Sequence, residues 1–464
     1  MSQLFTHSIF LLAVLLTLNM ASAQPGRTAD INYITWKLQT TYAGYGDKVN
    51  DDDFQDVVKL VRGSKSTDSF FVLSRLTGYF KDDHLALFAP VKLGAADSIE
   101  AADNWKLIQQ SHPSAQAMLD DPASGYWIDD QGYQILYLRQ TGPNRWEGDV
   151  VETRDSVPLG LKVLVLYRQK EGGWLADYKD VAGGDRIVVP VNFKTAGVMV
   201  GRSFFKYKEI RHYQPGMLAG VPAFSFDPSV SRLDSQTLVI HMPYFEQRYA
   251  AFYDSLVKAN ADALQQVSTL ILDIRGNPGG SLRCVAPLLP YVCTGPIENA
   301  DYYRLCSADL IADAQRTLTA FERDGDTMRV GWQRKYVDSL VRHQGHFWFR
   351  PGGESPCVAV PNSIRNVAVL MDHGTRSAAE LMVLYFRQSS KVRLFGEASG
   401  GAVDYSDLLS YELPHSHFKL WVASSKRGVT SWDPAYDEMG IPPNVEIPDS
   451  EPDWVGFVGR YYRH

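Results

Sequence analysis

The chain has 464 residues, 45% of them hydrophobic and 21% charged, too long for one ordinary core, and it predicts two or three domains. Its formal net charge of −7 argues against nucleic acid or an anionic membrane as the main partner. Beyond the N-terminus no segment is long and apolar enough to be a membrane span.

The first element is the apolar run Ile9–Leu18, too short to cross a bilayer and followed by Ala21-Ser-Ala23. This predicts a signal peptide over 1–23, cut before Gln24, and export to a periplasm or the extracellular space. The competing reading is an N-terminal anchor, since the run is preceded by His7 but by no Lys or Arg. Residues 24–90 read as helical. Phe54, Val57, Val58, Leu60 and Val61 recur at helical spacing, as do Phe70, Phe71, Leu73, Leu76 and Phe80. The pattern breaks at Lys81-Asp-Asp-His84, and Leu85–Phe88 reads as a strand.

Residues 91–215 form the second predicted unit. From about Gly125 to Tyr207 short aromatic and β-branched runs alternate with Gly, Asp, Asn and Pro turns. They predict a separate antiparallel barrel or sandwich, an accessory domain. Residues 216–464 read as an α/β core in which strands Leu238–His241, Thr269–Ile274, Val367–Met371 and Val392–Gly396 alternate with helices. Those helices are expected near Arg248–Gln265, after Ser281, within Leu310–Leu340 and over Ala378–Gln388, with a closing hairpin of Leu408–Leu413 and Phe418–Ala423. The four cysteines, Cys284, Cys293, Cys306 and Cys357, lie in one quarter of the chain, which favours local cross-links in an oxidising compartment. Cys293 with Cys306 and Cys284 with Cys357 is the expected pairing, and free buried thiols are the competing reading. No Cys/His spacing suits zinc, and His343, His346, His373, His415 and His417 make no case for a metal.

Two segments of the core carry chemistry. Thr269–Ser281 is a buried strand running into Asn277-Pro-Gly-Gly280. Val367–Phe386 is a second buried strand, a tight turn through Gly374, and Ser377 at the head of an amphipathic helix. Free N–H groups and the positive end of the helix dipole suit a nucleophile whose reaction develops an oxyanion. One of Gly279 and Gly280, with Ala378, would supply the oxyanion N–H donors. Alone, Ser377 also reads as an ordinary helix N-cap with Glu380 closing a capping box, and Asn-Pro-Gly-Gly as a plain turn.

Leu272-Asp-Ile-Arg-Gly-Asn-Pro-Gly-Gly280 with Gly374-Thr-Arg-Ser-Ala-Ala-Glu380 resembles the S41 family of serine peptidases. Phe395-Gly-Glu-Ala-Ser-Gly-Gly401 and Gly440-Ile-Pro-Pro-Asn-Val445 resemble further signatures of that family in the same order. The resemblance spans roughly 237–450 and implies a crotonase/ClpP-like α/β core acting on a peptide or protein, without a cofactor. Processing proteases of the family carry a basic Lys after their Gly-Glu motif, where this chain has Ala402. The resemblance therefore points to the tricorn and interphotoreceptor retinoid-binding protein branch, in which the base is an upstream His, matched here by His84. The branch's orienting acid falls at Asp437, with Glu438 in reserve. The retinoid-binding relatives imply the alternative of a non-catalytic ligand- or peptide-binding protein on the same scaffold.

Overall fold

The computed structural model describes residues 25–110, 121, 123–129, 132–169, 172–181, 183–194, 197–200, 206–210, 214–220, 227–430, 433–437, 439–448 and 450–463. The signal-peptide reading over 1–23 and the reserve acid Glu438 lie outside them.

Helices α1 (Pro25–Thr41), α2 (Asp51–Gly63) and α3 (Ser69–Gly78) open the chain. Ile31, Ile34 and Leu38 recur on one face of α1 and are buried against Phe54, Val58 and Val61 of α2 and Phe70, Leu73 and Leu76 of α3. The helix starts are set by side chains. Asn50 Oδ1 accepts from the Asp53 N–H at 3.4 Å, and Asp68 Oδ1 from the Phe71 N–H at 3.1 Å. After α3 the chain reverses through Lys81, whose φ of 46° is left-handed, and enters strand β1 (Ala86–Pro90). Helix α4 (Ala95–Gln110) follows, inside the stretch read from sequence as β-rich. It buries only Ala101 and Ile108, a stripe too thin to stand out as periodicity.

Strands β2 (Gly125–Asp129), β3 (Gln134–Gly142), β4 (Arg145–Thr153), β5 (Lys162–Arg168), β6 (Trp174–Asp180), β7 (Asp185–Lys194), β8 (Gly197–Val200) and β9 (Lys206–Ile210) are antiparallel. The pairing of β7 with β8 closes them into a barrel, so no edge is left among these strands. The barrel is not a detached module, because β1 pairs β7 on one side and the late strand Lys419–Arg427 on the other.

The core sheet runs β10 (Ser229–Arg232), β11 (Thr237–His241), β12 (Thr269–Asp273), β17 (Asn366–Met371), β18 (Val392–Gly396), β21 (Val445–Glu446). All its pairings are parallel except β10 with β11. Every residue of β12 is buried, as expected for a strand covered on both faces. Leu270, Leu272, Val367 and Val369 face helices α5 (Ala250–Ala259) and α8 (Ala378–Phe386). The alternate residues Ile271, Ala368 and Leu370 face helix α9 (Trp454–Tyr461). Where a helix is expected after Ser281, Leu282–Val292 makes only short helical turns. Pro287 and Pro290 remove the N–H groups a longer helix needs.

Between β12 and β17 the chain makes an excursion through β13 (Ile297–Asn299), β14 (Tyr302–Leu305), α6 (Ala308–Arg323), α7 (Thr327–Arg342), β15 (Phe347–Arg350) and β16 (Gly353–Ser355). Pairing of β14 with β20 (Lys419–Arg427), itself paired to β19 (Tyr405–Glu412), joins this excursion to the barrel's sheet. The expected disulfides are corrected here: Cys293 pairs with Cys357, and Cys284 and Cys306 are free and buried. The reason is register. Antiparallel pairing of Ile297 with Ser355 returns the end of the excursion to its start, while Cys306 is carried under α6 and α7. Among the described residues no helix is long and apolar enough to cross a membrane.

Candidate active site

The turns after β12 and β17 leave the carboxyl ends of adjacent parallel strands, the edge where open α/β sheets place their sites. Side-chain hydrogen bonds lock one turn to the other. Asp372 Oδ1 accepts from the N–H of Gly276 at 2.8 Å and of Gly374 at 2.9 Å, and Thr375 Oγ1 donates to the Ile274 carbonyl at 3.0 Å. The Arg376 N–H donates to the Asn277 carbonyl at 2.9 Å. Asn277 is itself fully buried and donates through Nδ2 to the Met242 carbonyl at 2.7 Å.

Ser377 sits at the end of this scaffold with φ 53° and ψ −119°, a conformation that costs a side-chain-bearing residue on the order of 1–3 kcal/mol and is kept only where the surroundings impose it. Its N–H donates to Glu380 Oε2 at 2.9 Å. The buried Glu380 carboxylate also accepts from Ser399 Oγ at 2.6 Å, from the Gly401 N–H at 2.8 Å and from the Ala402 N–H at 2.8 Å. Burial raises the Glu380 pKa against the pull of these donors. The capping reading of Ser377 and its reading as a nucleophile are thus compatible, because Glu380 holds the serine's backbone while its side chain stays half-exposed at the cleft.

The glycine pair divides. Gly279 has φ 93°, and a Cβ there would lie 2.8 Å from Ser377 Cβ and 2.7 Å from the Ala378 nitrogen. Its N–H donates to Asn277 Oδ1 at 2.8 Å, an Asx turn. Gly280, φ 131°, is held by the flanking bonds of Phe245 to the Gly279 carbonyl at 3.2 Å and of the Ser281 N–H to the Phe245 carbonyl at 2.5 Å. Gly279, Gly280, Ser377 and Ala378 all line one cleft of about 850 Å³.

His84 lines the same cleft, although it arrives from the N-terminal helical region. Its loop is built by Asp82, whose Oδ1 accepts the His84 N–H at 2.7 Å and whose Oδ2 accepts the Tyr42 hydroxyl at 2.7 Å. Asp83 also lines the cleft, and its carboxylate pairs with the guanidinium of Arg376. Asp437 does not line the cleft. It pairs with Lys48, and its N–H donates to Asp404 Oδ2 at 2.7 Å. Burial, and then the nearby charge of Asp82, push its pKa up to about 7 against the pull of Lys48. Ser377 and His84 therefore line one cleft, and Asp437 stays outside its lining, within reach of the charge of Asp82. Sequence reasoning had no signal for Asp82, Asp83 or Arg376 beyond their adjacency to the candidate pair.

Further lining comes from the excursion, with Tyr302, Arg304 and Arg350, and from α8, where Leu381 and Tyr385 follow Ser377 along the helix. Ala402 lines the cleft where the processing proteases would place their Lys.

Residues 236–447 match the model of peptidase family S41. This segment, a little under half of the chain, is a peptidase family S41 domain. No curated protein sequence matches the chain. Among solved structures, a CPAF mutant aligns over 95% of this chain and 96% of its own at 12% identity and a TM-score of 0.51. Mature CPAF aligns over 95% and 96% at 13% identity and 0.48. The photosystem II D1 C-terminal processing protease aligns over 94% and 97% at 10% identity and 0.40. At such identities the likeness concerns fold: the chain shares a mixed α/β architecture with N-terminal helices and a large antiparallel sheet.

Proposed function

We propose that this S41 peptidase is an exported enzyme that hydrolyses peptide bonds with Ser377 as nucleophile and His84 as its base. The observation that carries the reading is that Ser377, on its strained turn, and His84, from a distant part of the chain, line one cleft. A serine hydroxyl is a poor nucleophile near neutral pH, so its proton must pass to a base as the Oγ–carbon bond forms. Imidazole can take that proton and return it to the leaving amine. Gly280 and Ala378 line the same cleft and are read as the oxyanion donors, since the Gly279 N–H is engaged by Asn277.

Asp82 fixes the backbone of His84, and Asp437 is tied to that loop through Lys48, which pairs with it and donates to the Phe80 carbonyl at 2.9 Å. Ala402 in place of a basic Lys favours the tricorn-like branch. The barrel is read as an accessory unit, joined to the core through β1. The disulfide between Cys293 and Cys357 supports export to an oxidising compartment.

The test is hydrolysis of an unfolded protein by residues 24–464, beside Ser377→Ala and His84→Ala. Loss of activity in both variants supports the mechanism. Unchanged turnover in Ser377→Ala removes it, and inactivity of all three folded proteins favours a binding role for the cleft.

A further inference from the structure

We propose that Asp83 and Arg376 form a strut that sets the spacing of His84 and Ser377, each strut residue being the chain neighbour of one member of the pair. This rests on the Ser377–His84 reading above and adds two positioning residues to it. The two catalytic candidates stand on separate layers of the molecule: His84 on the turn between α3 and β1, Ser377 on the turn between β17 and α8. Hydrogen bonds within each turn fix its shape but not the gap between them. The ion pair of Asp83 with Arg376 crosses that gap.

Arg376 is built for the task. Its backbone is held by the Asn277 carbonyl, and its Nε donates to the His373 carbonyl at 3.3 Å. Its stem passes over Gly400, where a Cβ would lie 2.5 Å from Arg376 Cγ. The guanidinium is therefore rigid, and its side chain is only 7% exposed. Burial lowers its pKa to about 10, with Glu380 opposing, so it is a cation near neutral pH in a place where cations are costly. That place is also the N-terminal end of α8, where the helix dipole disfavours positive charge. A buried cation requires counter-charge. Glu380 is spent on four other donors, and the carboxylate that reaches the guanidinium is that of Asp83. Docking of the His84 loop and neutralisation of Arg376 are in this way one event.

The experiment uses the full mature chain with Asp83→Asn, Asp83→Glu, Arg376→Gln and the double variant Asp83→Asn with Arg376→Gln. Steady-state hydrolysis is measured, with the rate at which a fluorophosphonate labels the nucleophile. Displacement of a reacting group by about an ångström costs on the order of a hundredfold, so Asp83→Asn is expected to lower kcat and the labelling rate by ten- to a hundredfold at unchanged KM. Asp83→Glu, which keeps the charge, is expected to recover most of the loss. The double variant is expected to lose no more than the worse single one, because the pair acts as a unit. Asp83 is partly exposed, so Asp83→Asn is expected to fold, and the proposal does not depend on Arg376→Gln folding. Parental kcat and labelling in Asp83→Asn, with Ser377→Ala and His84→Ala inactive, would overturn the strut and leave the catalytic pair standing. A loss confined to KM would also overturn it. Parental labelling in His84→Ala would remove the Ser377–His84 reading and the strut with it.

Discussion

Glu380→Gln tests how the turn that carries Ser377 is held. The Glu380 carboxylate accepts four hydrogen bonds at 2.6–2.9 Å, from the Ser377, Gly401 and Ala402 N–H groups and the Ser399 hydroxyl. Oε1 serves Ser399 and Gly401, and Oε2 serves Ser377 and Ala402. A glutamine amide has one oxygen, so whichever way it turns, two buried donors meet an NH₂ group. Each buried donor left unsatisfied costs about 1–3 kcal/mol, which gives a loss of roughly 2–6 kcal/mol for the substitution. Part of this falls on the Ser377 N–H, so turnover should drop more steeply than the folded fraction. Urea unfolding of parent and variant at neutral pH measures the first quantity, and hydrolysis at a urea-free, fully folded temperature the second. Stability within about 1 kcal/mol of the parent, the net worth of one ordinary hydrogen bond, would refute the claim that this carboxylate anchors the turn.

Three further outcomes follow from the same structure. Gly279→Ala would place a Cβ 2.6 Å from the Arg376 carbonyl oxygen at a φ of 93°, so hydrolysis should fall at least a hundredfold while far-UV circular dichroism stays native; parental kcat would contradict it. Burial pushes the Asp437 carboxyl up to about 7 from its ordinary value of 3.8, so the native state binds a proton that the unfolded chain has released. Stability should then decline as pH rises from about 4 to 7, by at most about 4 kcal/mol, and unfolding curves at pH 5 and 8 should show a slope that Asp437→Asn removes. Replacing Cys293 and Cys357 by Ser opens a link of 64 residues, and the chain-entropy relation gives a loss of about 4 kcal/mol, to be read from the urea midpoint; a shift under about 1 kcal/mol would contradict it.

The core was legible where pattern and burial coincide. Strands β11, β12, β17 and β18 are apolar runs covered on both faces, and their observed bounds lie within a residue of the reading. The barrel was visible as short aromatic runs, but its seam to the core was not, because β1 joins partners far away in sequence. Helix α4 escaped notice for want of a broad apolar face, and the helix expected after Ser281 was stopped by prolines that a search for apolar periodicity passes over. Of the residues that line the cleft, Ser377 and the glycines were marked by type and setting, and His84 only by the family resemblance. The ion pairs of Asp83 with Arg376 and of Asp437 with Lys48 were not, since two charges distant in sequence carry no periodic signal.

The most direct test of the Ser377–His84 assignment is to treat residues 24–464 with a fluorophosphonate and locate the adduct by peptide mass mapping. The account predicts a single adduct on the peptide carrying Ser377, lost in Ser377→Ala and formed at least a hundredfold more slowly in His84→Ala. An adduct at another residue, or one that forms at the parental rate without His84, would contradict it.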